Sequence, residues 1–75
     1  MYSEKIGNEL RAIRSRHNLS LKDLEGLTGI YAQTLSEYEN GKIKIKVSTL
    51  EKILLTAYKM DLFIFFRNIY ENTHN

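Results

Sequence analysis

Glu37 and Glu39 stand two residues apart, and paired carboxylates are the usual equipment of general acid–base chemistry. On a helix, however, positions two apart do not face each other, so this pair cannot flank a reacting bond. His17 and His74 have no ligand-type residues clustered with them and read as solvated surface groups. With no cysteine in the chain, thiolate nucleophiles and thiolate zinc sites are excluded. No phosphate-cradling Gly-rich loop appears, nor a nucleophile beside a base. No catalytic residue, metal or cofactor is therefore expected. Hydrogen-bonding and charge capacity remain. Gln33 offers a donor and an acceptor side by side, Glu37 one turn behind offers acceptors, Ala32 a methyl and Tyr31 a phenol, while Lys42 and Lys44 follow as cations.

These groups need a support, and residues 19–42 supply one. Ser20 is an N-cap type, and Asp23 adds negative charge in the first turn, where the helix dipole favours it. Leu24 and Leu27 share a face. Gly29 can end the helix in the left-handed conformation, with Ile30 as the apolar residue such an ending packs. A second helix starts near Tyr31 and stops at Asn40-Gly41. Leu35 and Tyr38 form its inward face, leaving Tyr31, Ala32, Gln33, Thr34 and Glu37 largely outside. Two short helices joined by a turn containing Gly make a helix-turn-helix, whose second helix enters the DNA major groove by its N-terminal part. There Gln33 can bond bidentately to adenine, Glu37 can accept from cytosine and Ala32 can touch a thymine methyl, while Tyr31 or Thr34 serves a base or a phosphate.

Leu19-Ser20, Asp23-Leu24, Gly29, Leu35 and the run Tyr38-Glu39-Asn40-Gly41-Lys42 resemble the lambda-repressor-like helix-turn-helix family, the phage repressor/Cro and XRE-type proteins, over roughly residues 6–66. The resemblance implies an all-α, compact five-helix DNA-binding domain with the helix-turn-helix at helices 2 and 3, about residues 20–40. It implies an Arg14–Glu39 ion pair tying helix 1 to the end of helix 3, with Arg14 also near the DNA backbone. It assigns base reading to the positions of Ala32, Gln33 and Glu37, and places the loop of Lys42 and Lys44 along the phosphates. The expected phosphate set is Arg14, Ser20, Thr34, Asn40, Lys42 and Lys44. Three positions depart from the family pattern: Leu21 replaces a Gln at the start of helix 2, Glu25 a small Ala, and Leu27 a polar residue. Glu25 is the consequential one, because a carboxylate at a helix–helix contact must reach solvent or find a cation.

Elsewhere, Ser3 can cap a first helix whose stripe is Ile6, Leu10 and Ile13, ending at His17-Asn18. Lys42 to Val47 alternates basic and apolar residues, and with no partner strand it reads as an extended loop with Ile43, Ile45 or Val47 tucked inward. Ser48 and Glu51 fit a capping box opening helix 4, with Leu50, Ile53, Leu54 and Ala57 buried. Asp61 can cap helix 5, where Leu62, Phe65, Phe66 and Ile69 form one apolar face and Phe63, Ile64 and Tyr70 another. A small monomer cannot bury both, so helix 5 reads as a homodimer interface through Phe63, Ile64, Phe66 and Tyr70, with Leu55 or Tyr58. Residues 71–75 read as a frayed tail.

Seventy-five residues allow one domain, 1–75, with residues 61–75 assigned to dimerisation. With 43% hydrophobic and 27% charged residues, the chain suits a soluble globular fold. Neither a secretory signal nor a membrane-length apolar run is present, so the expected setting is the cytoplasm, on the nucleoid. The net charge of +2 is unevenly spread. Residues 21–41 carry Lys22 against Asp23, Glu25, Glu37 and Glu39, net −3, whereas residues 1–20 carry +2 and residues 42–46 carry +3. Flanks that hold phosphates around a helix that reads bases fit this division. The expectation is a homodimeric, sequence-specific regulator of transcription, a repressor on a near-palindromic operator, with control by concentration, by degradation or by a protein partner such as an antirepressor. The small size and aromatic last helix also resemble restriction–modification controllers, so a controller or antitoxin-type autoregulator is the alternative within this class. An alternative of another class is a protein-interaction module that kept the fold and lost DNA reading, which the −3 segment, Leu21, Glu25 and Leu27 would suit.

Overall fold

Ile6, Leu10 and Ile13 recur at helical spacing and form the inward stripe of α1 (Tyr2–Arg16), with Ile13 fully buried. The computed structural model describes the backbone of residues 2–74 and the side chains of residues 2–72. Within these, α2 (Leu21–Thr28) and α3 (Ala32–Glu39) follow, then α4 (Val47–Ile53), which widens into a π turn over Leu54–Tyr58, and α5 (Leu62–His74). Among the described residues there is no strand, and the fold is all-α with five helices. Lys42 to Lys46 is an extended loop in which Ile45 packs against the core, while Ile43 and Val47 stay exposed. The radius of gyration, 11.4 Å, is close to the roughly 11 Å of a compact chain this long, so α5 folds back onto the body.

One core holds the helices together: Leu10, Ile13, Leu24, Leu35, Leu50, Ile53, Leu54, Tyr58, Phe65 and Ile69. The π turn keeps both Leu54 and Tyr58 inward, and its wider spacing shows in the Lys59 amide, which donates to the Leu54 carbonyl. Asp61 caps α5 as its position predicts, its carboxylate accepting from the Ile64 amide at 2.9 Å.

Four local expectations are corrected. Ser3 does not cap α1, which already starts at Tyr2, whose ring stacks on Phe66 of α5 with centroids 6.0 Å apart. Ser48 and Glu51 form no capping box; Lys46 is the N-cap without a side-chain bond, because Ile45 anchors the chain in the core just before the helix. Residues 71–74 are not a frayed tail but the last turn of α5, where Asn72 Nδ2 lies 3.4 Å from Glu9 Oε1 on α1 and Ile69 is buried one turn earlier. Asn75 lies outside the described residues, as does the side chain of His74. His17 is exposed yet not simply solvated: its Nδ1 is 2.9 Å from the Ile13 carbonyl and its ring packs on Tyr58 at 4.9 Å.

Tyr58 carries a stability prediction. Its hydroxyl is buried without a hydrogen-bond partner among the described residues, and desolvation, then the nearby Glu39 carboxylate, push its pKa up to about 12. A buried unsatisfied hydroxyl costs about 1–3 kcal/mol. Tyr58→Phe is therefore expected to keep or raise stability, by up to about 1 kcal/mol, in urea unfolding. A loss larger than that would mean the hydroxyl is satisfied in solution.

Candidate nucleic-acid interface

The interface is built on the turn between α2 and α3. Ser20 and Asp23 form a full capping box: Ser20 Oγ accepts from the Asp23 amide, and the Asp23 carboxylate accepts from the Ser20 amide, each at 2.9 Å. Gly29 closes α2 at φ +77°, the left-handed conformation that a side chain would strain. A three-residue connection, Gly29 to Tyr31, leads into α3. Leu35 is buried and Tyr38 packs at the core's edge, so the helix turns its other side outward. Tyr31 is 77% exposed and Gln33 is exposed, while Ala32, Thr34 and Glu37 are half-buried. Lys42 and Lys44 are exposed just beyond α3.

Glu25, which the sequence leaves seeking solvent or a cation, finds a backbone amide as well. Its Oε2 accepts from the Ala32 amide at 3.1 Å, and its Oε1 from Lys22 Nζ at 3.2 Å. Tyr31, at the N-cap position of α3, supplies no side-chain bond, so Glu25 does the capping from across the turn. Leu21 packs against the core, and Leu27 is half exposed.

These carboxylates make stability depend on pH. The bond from the Ala32 amide, then Lys22, lowers the pKa of Glu25, and the bonds with Ser20 lower that of Asp23. A folded-state pKa below the unfolded value contributes stability that is present above the unfolded pKa and lost as the pH falls through the folded one. The melting temperature is therefore expected to hold down to the ordinary carboxylate range and fall below it. The Asp23→Asn/Glu25→Gln double variant should fall less steeply, and an unchanged slope would remove these two groups from the acid transition.

The far end of α3 is held by charge. Arg14 donates from Nε to Glu39 Oε2 at 2.6 Å, from Nη2 to Glu39 Oε1 at 2.9 Å and from Nη1 to the Leu19 carbonyl at 2.8 Å. The Glu39 side chain is 5% exposed and Arg14 19%, so the bidentate pair is largely out of water. These bonds use three of the five guanidinium N–H groups. The sequence reading passed over Arg11, which donates to the Glu39 carbonyl at 3.1 Å and to Asn40 Oδ1, placing a cation at the C-terminal end of α3. The signal was available, since Arg11 lies one turn before Arg14 on the same helix face. Asn40 Nδ2 lies 3.3 Å from Ser36 Oγ, so its amide is already engaged at both ends. Gly7 was passed over as well. A Cβ there would lie 2.5 Å from the Glu39 carbonyl oxygen and 2.6 Å from that of Tyr38, so α1 and α3 touch backbone to side-chain-free backbone.

No three His, Asp or Glu side chains among the described residues could hold a metal ion, and no described helix is long and apolar enough to cross a membrane.

The helix-turn-helix family model matches residues 10–56, from the middle of α1 into the π turn. The chain is also similar to a protein of Methanothermobacter thermautotrophicus named "Putative HTH-type transcriptional regulatory protein", at 39% identity over 62 residues, covering 79% of this chain and 20% of the relative. The chain thus spans about a fifth of the length of that curated relative. Because the family match covers more than half of the chain and includes Arg14, Glu39 and the whole α2–α3 unit, this protein belongs to the lambda-repressor-like, XRE-type helix-turn-helix family of DNA-binding transcription regulators.

Proposed function

We propose that this chain is a homodimeric, sequence-specific regulator, acting as a repressor, that reads a near-palindromic operator with α3 in the major groove. The observation that carries the reading is the outward-facing first turn of α3, with Tyr31 and Gln33 exposed, on a helix held at both ends by Glu25 and Arg14. Tyr31, Ala32, Gln33 and Glu37 face base edges, and Lys42 and Lys44 meet phosphates on the flank. Ser20 keeps its hydroxyl hydrogen for a phosphate while its oxygen caps α2, and Thr34 stands near the groove edge. Arg14 and Asn40 contribute only what their internal bonds leave over.

A second copy is proposed on α5, where Phe63 is 72% exposed, Tyr70 60% and Ile64 36%, beside half-buried Phe66. Two-fold symmetry then sets half-sites about 34 Å apart. The acidic charge of residues 21–41 gives little support to a pure protein-interaction module: Glu39 is spent on Arg14, Asp23 on the α2 cap and Glu25 on α3.

Selection from a random duplex pool, followed by sequencing, tests the reading, and a palindrome should be enriched. Gln33→Ala should lose about 1–3 kcal/mol of discrimination at its base pair. Lys44→Ala should instead weaken all sequences alike and flatten the salt slope by about one. Absence of any retention at low salt would overturn the proposal.

A further inference from the structure

Glu25 is the residue least explained by simple packing. It sits on α2, faces α3 and is about one-quarter exposed. Its backbone carbonyl accepts from the Gly29 amide at 2.8 Å, which closes α2, and its carboxylate accepts from the Ala32 amide at 3.1 Å, which opens α3. One residue thus holds both ends of the three-residue turn. Tyr31 provides no side-chain cap, so among side chains the first turn of α3 takes its amide acceptor from Glu25. The negative charge at that helix end is also favoured by the helix dipole. Lys22 Nζ, on an exposed side chain, lies 3.2 Å from the other carboxylate oxygen.

We propose that Glu25 is a positioning residue of the DNA interface: its bond to the Ala32 amide sets the rotation and entry of α3, and with them the base preference of Ala32 and Gln33. This rests on the DNA reading proposed above. The carboxylate touches neither base nor phosphate; it acts through the helix. Because it occupies the Ala32 amide, that amide is withheld from phosphates, and the first turn of α3 meets the groove with side chains.

The test uses the full chain in four forms: wild type, Glu25→Ala, Glu25→Gln and Asp23→Ala, the last removing part of a cap from α2 only. Each is passed through selection on random duplexes, and exchange of the Ala32 amide is followed by NMR without DNA. Glu25→Ala is expected to speed Ala32 exchange and to lower discrimination at the base pairs facing Ala32 and Gln33 by about tenfold, the lower part of what one good base contact supplies. Its affinity for non-specific duplex and its salt slope should stay unchanged. Glu25→Gln keeps an acceptor oxygen and should restore the wild-type preference, and Asp23→Ala should retain it. Equal discrimination in Glu25→Ala and Asp23→Ala, or Ala32 exchange that does not respond, overturns the positioning role while leaving the DNA reading intact. A wild-type chain that enriches no motif overturns the reading itself and the positioning role with it.

Discussion

Arg14→Ala is expected to cost the domain about 3 kcal/mol, the low end of what breaking a buried ion pair costs. The loss comes from what remains. Glu39 is 5% exposed, and without Arg14 its carboxylate keeps, among the described residues, Arg11, whose Nε lies 3.8 Å away on a half-exposed side chain. The Leu19 carbonyl loses its donor too, so the α1–α2 corner loosens together with the α3 terminus. For a domain of this size, 3 kcal/mol corresponds to a fall in melting temperature of roughly 12–24 °C. Arg14→Leu/Glu39→Leu should lose less than the two single variants added together, because removing both charges leaves none buried alone. Thermal and urea unfolding of the wild type, Arg14→Leu, Glu39→Leu and the double variant measures this coupling. A single-variant loss below about 1 kcal/mol would place the pair among exposed bridges of little worth.

Gly7→Ala should be the most damaging addition of a single methyl group. Its Cβ would stand 2.5 Å from the Glu39 carbonyl oxygen, 2.6 Å from that of Tyr38 and 2.9 Å from the Glu39 carbonyl carbon. These are backbone atoms of the last turn of α3 and cannot rotate aside, so α1 and α3 must separate. Overpacking of this kind costs about 1–3 kcal/mol, against which the better helix propensity of alanine returns only about 1 kcal/mol. Because Glu39 moves with the helix, the Arg14 bond is strained by the same shift, and the net loss is expected to reach about 2 kcal/mol. Gly26→Ala is the built-in contrast. Nothing lies within 4 Å of a Cβ there, so it should gain about 0.5–1 kcal/mol from propensity alone. Urea titration of both variants decides the matter, and similar effects at the two glycines would contradict the close approach of α1 and α3.

The resemblance carried by Leu19-Ser20, Gly29 and the Tyr38-to-Lys42 run led to the family, and helical spacing of apolar residues led to the core: Ile13, Leu24, Leu35, Leu50, Ile53, Leu54 and Phe65 are all buried. The helix ends that depend on their own neighbours were equally legible. Ser20 caps three residues ahead, Asp61 likewise, and Gly29 turns left-handed where an apolar residue follows. The start of α4 was not legible, because Ser48 and Glu51 have the right local chemistry but Ile45 is held by the core and draws the helix start forward. The last turn of α5 was misread because its polar composition hides the contact of Asn72 with Glu9.

By itself, then, the sequence determined five helices though not all of their ends, the turn between α2 and α3, the inward faces and the surface offered by Tyr31 and Gln33. Each of these follows from side chains within about one helical turn of one another, where spacing is geometry. Tertiary structure alone decided that Glu25 caps α3 across seven residues, that Arg11 reaches the Glu39 carbonyl across 28, that Gly7 admits α3 and that the Tyr58 hydroxyl is buried without a hydrogen-bond partner among the described residues. Those contacts depend on how whole helices cross, and crossing is settled by the packing of the shared core, which no local pattern encodes.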